Sequence, residues 1–201
     1  MVQEQTQIIN NALKIIAEKG CNANVLQEAS ILAGTHESLA EALFPGGVEQ
    51  LLKTYIAEVN CELLSIYQAR HLNQELKTQE RIQKGIEIQL EILSPNRKAI
   101  ARVLSYCSLP WNYSFALGLL WKNLDFIWYN LGNDKASDFN YYTKRALLAK
   151  VYLQTINFWL KDNSPDFKDT KEFLKNRLAS TTKVGESIGG ALKDLLKRAN
   201  F

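Results

Sequence analysis

Two histidines, three cysteines and the carboxylates Glu87 and Glu91 are groups in this 201-residue chain that invite a chemical reading. His36 and His71 stand far apart and no Glu-x-x-His pair occurs. The chain therefore cannot build the carboxylate-bridged di-iron centre that draws such a pair from each of two helices. Cys21, Cys61 and Cys107 are isolated and odd in number, without CxxC spacing, so neither a zinc site nor a disulfide framework follows. They read as reduced thiols partly in the core. Glu87 and Glu91 lie one helical turn apart, which a solvated helix face explains. A GxSxG elbow, a glycine-rich phosphate loop and a convincing triad are all missing. No catalytic residue, metal site or cofactor is expected.

What the chain has in excess is aromatic surface. Fourteen of its twenty aromatic residues, including all four tryptophans, fall between Tyr106 and Trp159. Aromatic side chains carry large apolar area, with a polar tip on Tyr and Trp. The surplus points to an apolar cavity, a partner surface or a membrane-facing edge. Over 113–131, Leu117, Trp121, Leu124 and Trp128 recur at i, i+4, i+7 and i+11, with Leu120, Ile127 and Leu131 alongside. Such a helix is buried on two sides or lines a cavity. Leu117, Leu120, Trp121, Leu124 and Trp128 are accordingly the candidates to line such a cavity, and they become the lipid-binding candidates under the family resemblance given below. Asp125 sits within this band, and an unpaired acid is costly to bury. It is expected to reach the surface or to pair with a cation such as Arg145.

The elements that must position these residues are helices throughout. Ile8, Ile9, Leu13, Ile16 and Ala17 keep helical spacing and stop at Lys19-Gly20, a basic last turn with a glycine cap. A short helix from Asn24 ends at Gly34, and Ser38 is placed to cap another that Pro45-Gly46-Gly47 halts. A long helix follows over about 48–69, then further helices at 79–93, 97–107, 113–131, 139–161, 166–179 and 183–200. Pro165 behind Ser164 suits a helix start. No alternating strand pattern occurs, so the fold class is all-α. A change of character near residue 70 suggests a module over 1–70, a helical bundle over 71–182 and a C-terminal amphipathic helix over 183–201.

The first of these, about residues 7–56, resembles the helix-turn-helix unit of TetR-type regulators, whose second motif helix enters the DNA major groove. Its charge is wrong for that task. From 20 to 52 there is no Lys or Arg, while Glu28, Glu37, Glu41 and Glu49 give a net −4. Phosphate binding depends on cations that release counterions. A degenerate module without nucleic-acid affinity is expected, and the chain's overall charge of +3 does not demand such a partner.

The segments SDFNYYTKRALLAKVY and DNSPDFKDTKEFLKNRL carry a more specific likeness. Asp138-Phe139-Asn140-Tyr141-Tyr142-Thr143-Lys144-Arg145-Ala146 and Ser164-Pro165-Asp166-Phe167, with Asp169-Thr170 and Phe173-Leu174-Asn176-Arg177, closely resemble the ubiquinone-biosynthesis accessory protein family of TetR-like lipid-binding proteins. The resemblance covers roughly residues 7–180. It implies a non-enzymatic homodimer that binds an isoprenoid lipid and presents a quinone intermediate to a membrane-associated di-iron hydroxylase. It also implies a partner surface at Asp125, Ile127, Tyr141 and Tyr142, beside which Asp138 and Asn140 are placed. Tyr141 and Tyr142 are about 100° apart on a helix, so at least one should be partly exposed. The N-terminal MVQEQTQIINNAL, with Glu4 and no Arg, fits neither a signal nor a transit peptide. A cytoplasmic protein, peripheral on the inner membrane, is the expectation.

The tail completes this reading. Val184, Ile188, Ala191, Leu192, Leu195 and Leu196 form one stripe, with Lys193, Asp194, Lys197 and Arg198 opposite. Gly189-Gly190 weakens the helix by about 1 kcal/mol per glycine, so a surface must order it. Its own body or a sister subunit would serve. An interfacial membrane helix is the sharper alternative, with Ile188, Leu192, Leu195 and Leu196 as the membrane contacts.

Overall fold

Apolar residues three and four apart are realised as helices almost wherever they occur. The computed structural model describes residues 2–71, 74–132 and 139–181, without the side chains of 2 and 139–141. In chain order these are α1 (Val2–Lys19), α2 (Val25–Leu32), α3 (Glu37–Leu43), α4 (Gly47–His71), α5 (Thr78–Leu93), α6 (Arg97–Cys107), α7 (Tyr113–Leu131) and α8 (Phe139–Trp159). A ninth, α9, covers 168–181. No strand occurs among the described residues. The fold is all-α, as the sequence predicts, and α7 has the expected bounds.

Glycine ends the first two helices for a stereochemical reason. Gly20 and Gly34 adopt φ of +79° and +66°, a region that costs other residues steric energy, and Gly20 N–H closes back on the Ile16 carbonyl at 2.9 Å. The third helix departs from expectation. It starts at Glu37 behind an extended His36, because the Ser38 hydroxyl lies 3.0 Å from His36 Nδ1 rather than capping backbone.

Internal packing divides the chain into two compact units, Met1–Ser65 with Glu91–Asn123, and Ile66–Leu90 with Leu124–Phe201. In the first, α1 packs on α2, α3 and α6. Its stripe of Ile8, Ile9, Ala12, Leu13 and Ile16 is buried. Each Ile or Leu so buried stabilises by about 1.5–3 kcal/mol relative to exposure. In the second, α5 and α7 approach until a Cβ on Gly85 would stand 2.1 Å from Leu131 Cδ1. The Tyr152 hydroxyl of α8 donates to Gln89 Oε1 of α5 at 2.8 Å, and both residues are buried. Glu87 corrects the expectation of a solvated face. It is buried, and its carboxylate accepts from Gln83 Nε2 at 2.8 Å and Lys84 Nζ at 2.9 Å.

The SPDF turn that leads into α9 is held from below. Asp162 is buried, and its carboxylate accepts the N–H of Ser164 at 2.7 Å, the N–H of Thr170 at 2.9 Å and the Thr170 hydroxyl. The helix starts at 168 rather than at 166 behind Ser164, because a 3-10 turn over Pro165–Phe167 intervenes, and Ser164 Oγ reaches across it to accept the Asp169 N–H at 3.1 Å. Asp166 and Phe167 both take the left-handed region, φ +52° and +53°. Asp tolerates it and a bulky Phe does not. The Phe167 ring is kept there edge-on to buried Trp159, centroids 5.9 Å apart.

Burial works against the Asp162 charge, but the hydrogen bonds from Thr170 and Ser164 outweigh it and hold the carboxyl at about 2, below its ordinary value. A depressed carboxyl contributes stability above its unfolded pKa and loses it as pH falls through the folded one. Asp162→Asn should therefore cost about 1–2 kcal/mol at neutral pH. That gap should hold down to roughly pH 4 and shrink towards pH 2. Urea unfolding of both proteins across this range checks it, and a gap unchanged at pH 2 contradicts it.

Candidate lipid and partner surface

Helix α7 runs from the first unit into the second, and its predicted lipid-binding residues divide accordingly. In the first unit Leu117 is exposed, while Leu120 and Trp121 are half-buried. In the second, Leu124 is fully buried and Trp128 half-buried. One helical face thus meets different surroundings along its length, which spacing alone does not reveal. The Trp128 indole is closely set. A Cβ on Gly132 would fall 2.3 Å from its Cε3 and 2.6 Å from the Trp128 carbonyl oxygen, and Lys144 Nζ lies 5.9 Å from a ring centroid. Its Nε1 is buried and has no hydrogen-bond partner among the described residues. Such a donor is costly to leave unmet and is satisfied when an acceptor arrives.

Beside it lies the acid that the sequence singled out. Arg145 Nε donates to Asp125 Oδ1 at 2.8 Å. The arginine side chain is 2% exposed and the aspartate 42%. Both expectations for Asp125 hold at once, because it reaches the surface while anchoring a buried cation. Tyr142 is 61% exposed, which meets the expectation that one of the tyrosine pair faces outward. Ile127 corrects the sequence reading. Expected in the same exposed patch, it is fully buried, since it lies on the side of α7 shared by Leu124 and Leu131 rather than that of Asp125 and Tyr129.

Asn140 and Tyr141 fall in the first turn of α8, with their side chains outside the description. Asp138 and the tail residues Ile188, Leu192, Leu195 and Leu196 lie outside the described residues. Sequence reasoning missed Asp162 and the Lys144–Trp128 contact. The Asp162-Asn163-Ser164-Pro165 run is an Asx-type turn signal that could have revealed the first. Nothing in local sequence marks the second.

In the first unit, a polar cleft of about 360 Å³ lies between α1 and α2, lined by Gln7, Asn10, Asn11, Lys14, Leu32 and Ala33. It is not the apolar cavity expected along α7 and α8. The neighbouring α3 presents Glu37 and Glu41 to solvent, and Lys19 Nζ is paired with Glu28 at 2.6 Å. Among the described residues no group of His, Cys, Asp and Glu could hold a metal ion. No described helix is long and apolar enough to cross a membrane.

The fold is of the TetR type. The "TetR transcriptional regulator from Nitrosomonas europaea" superposes with a TM-score of 0.68 over 89% of this chain and 97% of that one, at 18% identity, a likeness that concerns fold alone. Residues 113–185 match the family model COQ9. The chain is 30% identical over 191 residues to the human "Ubiquinone biosynthesis protein COQ9, mitochondrial", covering 92% of this chain. A fission-yeast protein (Schizosaccharomyces pombe) of the same description is 28% identical over 194 residues, covering 96% of this chain and 74% of its own. The chain spans 59% of the length of the human relative. Its similarity to the COQ9 proteins thus extends along nearly all of this chain.

Proposed function

We propose that this protein serves ubiquinone biosynthesis as a non-enzymatic accessory. It binds an isoprenoid lipid against the apolar residues of α7, Leu117, Leu120, Trp121, Leu124 and Trp128, and presents polyprenyl quinone intermediates to a membrane-associated di-iron hydroxylase. The hydroxylase docks on Tyr142 and Tyr141 beside Asp125, Asp138 and Asn140, with Ile127 supporting that surface from within. The protein acts as a homodimer, peripheral on a membrane to which Ile188, Leu192, Leu195 and Leu196 attach it.

The observation that carries this reading is kinship along nearly the whole chain with proteins named for ubiquinone biosynthesis. Two local features support it. The buried Trp128 N–H has no acceptor among the described residues, and a quinone carbonyl or headgroup oxygen would supply one. Tyr142 is an exposed aromatic one helical turn before Arg145, which holds the Asp125 carboxylate, and exposed aromatics near polar groups are common interface anchors. A ligand-responsive TetR-type regulator is the alternative suggested by the fold, and the acidic α3 argues against it.

Reconstitution tests the proposal. The hydroxylase, in vesicles containing its polyprenyl substrate, should turn over several-fold faster when this protein is added. A short-chain, water-soluble quinone should show no such gain. Equal rates with and without the protein on the membrane-borne substrate would refute it.

A further inference from the structure

Glu91 and Asp125 bound a stretch with no acidic residue, in which Arg97, Lys98, Arg102 and Lys122 stand. Within it the first unit exposes three large apolar side chains close together in sequence: Trp111 at 75%, Tyr113 at 68% and Leu117 at 57%. Exposed Trp is rare enough on a soluble surface to call for a partner. These residues are also rigidly presented. Pro110–Asn112 forms a 3-10 turn, buried Asn112 donates Nδ2–H to the Tyr106 carbonyl at 2.8 Å, and buried Phe115 packs edge-on to Tyr106 with centroids 6.2 Å apart. Trp111 thus projects from a turn locked at both ends.

The charges flank it on helical faces that are themselves exposed. Lys98 and Arg102 lie at i and i+4 on the outer face of α6, and Lys122 continues the exposed row of Ser114 and Gly118 on α7. From α4, Glu49 acts on Tyr106 and Cys107, while Lys53 Nζ sits 5.4 Å from the Phe115 ring, one charge of each sign. Protein interfaces favour Trp and Tyr but are depleted of Lys. Exposed Trp and Tyr on a segment whose exposed charges are lysine and arginine, with Glu49 of α4 the acid that reaches Tyr106, match a bilayer surface instead. There aromatic rings sit at headgroup depth, and each nearby cation contributes through the negative surface potential.

We propose that the α6–α7 corner, with Trp111, Tyr113 and Leu117 as the inserting side chains and Lys98, Arg102 and Lys122 as the cationic rim, docks on an anionic lipid bilayer. This contact is separate from the tail and does not depend on the accessory role. Its test contains neither hydroxylase nor isoprenoid.

Flotation of the full chain with vesicles of phosphatidylcholine, alone or mixed with phosphatidylglycerol, provides that test. The wild type should bind the anionic vesicles preferentially, with partitioning that falls as salt rises. Lys98→Gln/Arg102→Gln/Lys122→Gln should weaken partitioning about a hundredfold at low salt. Trp111→Ser/Leu117→Ser should weaken it at least tenfold. Both should retain the wild-type melting temperature, since all five side chains are exposed. A Leu192→Ser/Leu195→Ser chain serves as the comparator and should keep part of its binding. Three results would each overturn the proposal: a wild type that does not float, corner variants that float like wild type, or a corner variant whose solution mass drops from dimer to monomer. The last would make this face a subunit interface.

Discussion

Replacing Asp125 with alanine should lower the free energy of unfolding by about 3 kcal/mol, more than replacing its partner Arg145 with methionine. The ordering runs against exposure, since Asp125 is the more exposed of the two. The reason lies in what each substitution leaves behind. Asp125→Ala keeps a guanidinium charge in the interior without the carboxylate that Nε donates to at 2.8 Å. Arg145→Met removes that charge, fills similar volume with apolar atoms, and leaves a carboxylate that water can reach. Its cost should be about 1 kcal/mol. The double variant should then be more stable than Asp125→Ala alone, a coupling that a double-mutant cycle in urea reads directly. Equal single-mutant costs that simply add would show that the pair contributes nothing specific.

Tyr142→Ala should have the opposite signature. Its ring is mostly in solvent, so the melting temperature should stay nearly unchanged while hydroxylase affinity falls roughly thirtyfold, about 2 kcal/mol. Tyr141→Ala follows the same expectation. Thermal melts beside quantitative pull-downs separate anchor from core. A marked melting shift with binding lost only through unfolding would sink the interface assignment. The Asp125 result bears on how such data are read, because a partner-binding defect in Asp125→Ala must first be corrected for instability. Arg145→Met, which alters the same ion pair at lower cost, supplies that correction.

The helices were legible because their signals are local. Apolar spacing, the glycines at 20 and 34 and the prolines at 45, 95 and 165 act within a turn or two of where they stand. The bounds of α7 and the absence of strands among the described residues follow from them. Misreadings arose where a second element decides. Ile127 and Asp125 are two residues apart, and periodicity places them on different sides of α7 without saying which side is covered. The structure covers Ile127 and leaves Asp125 half open to pair with Arg145. Glu87 looked like a solvated carboxylate because its helical neighbours are polar, yet Gln83 and Lys84 fold over it as it is buried. Asp162, which the sequence reading passes over, is the cap of α9, reached across eight residues from Thr170. The candidate site was legible mainly through motifs. The physical sense of SPDF, a strained left-handed turn pinned by Trp159 and Asp162, becomes visible only in three dimensions.

On the proposed function this chain should carry an isoprenoid lipid and perform no chemistry on it. Native mass spectrometry with lipidomics, on protein purified from cells that make ubiquinone, addresses it most directly. The account predicts a polyprenyl lipid or quinone intermediate retained on the protomers of a dimer, and reduced occupancy when Leu124 or Trp128 is replaced by a polar residue of similar size. Folded wild-type protein that is consistently free of lipid, with α7 and α8 packed solid in its experimental structure, would contradict it.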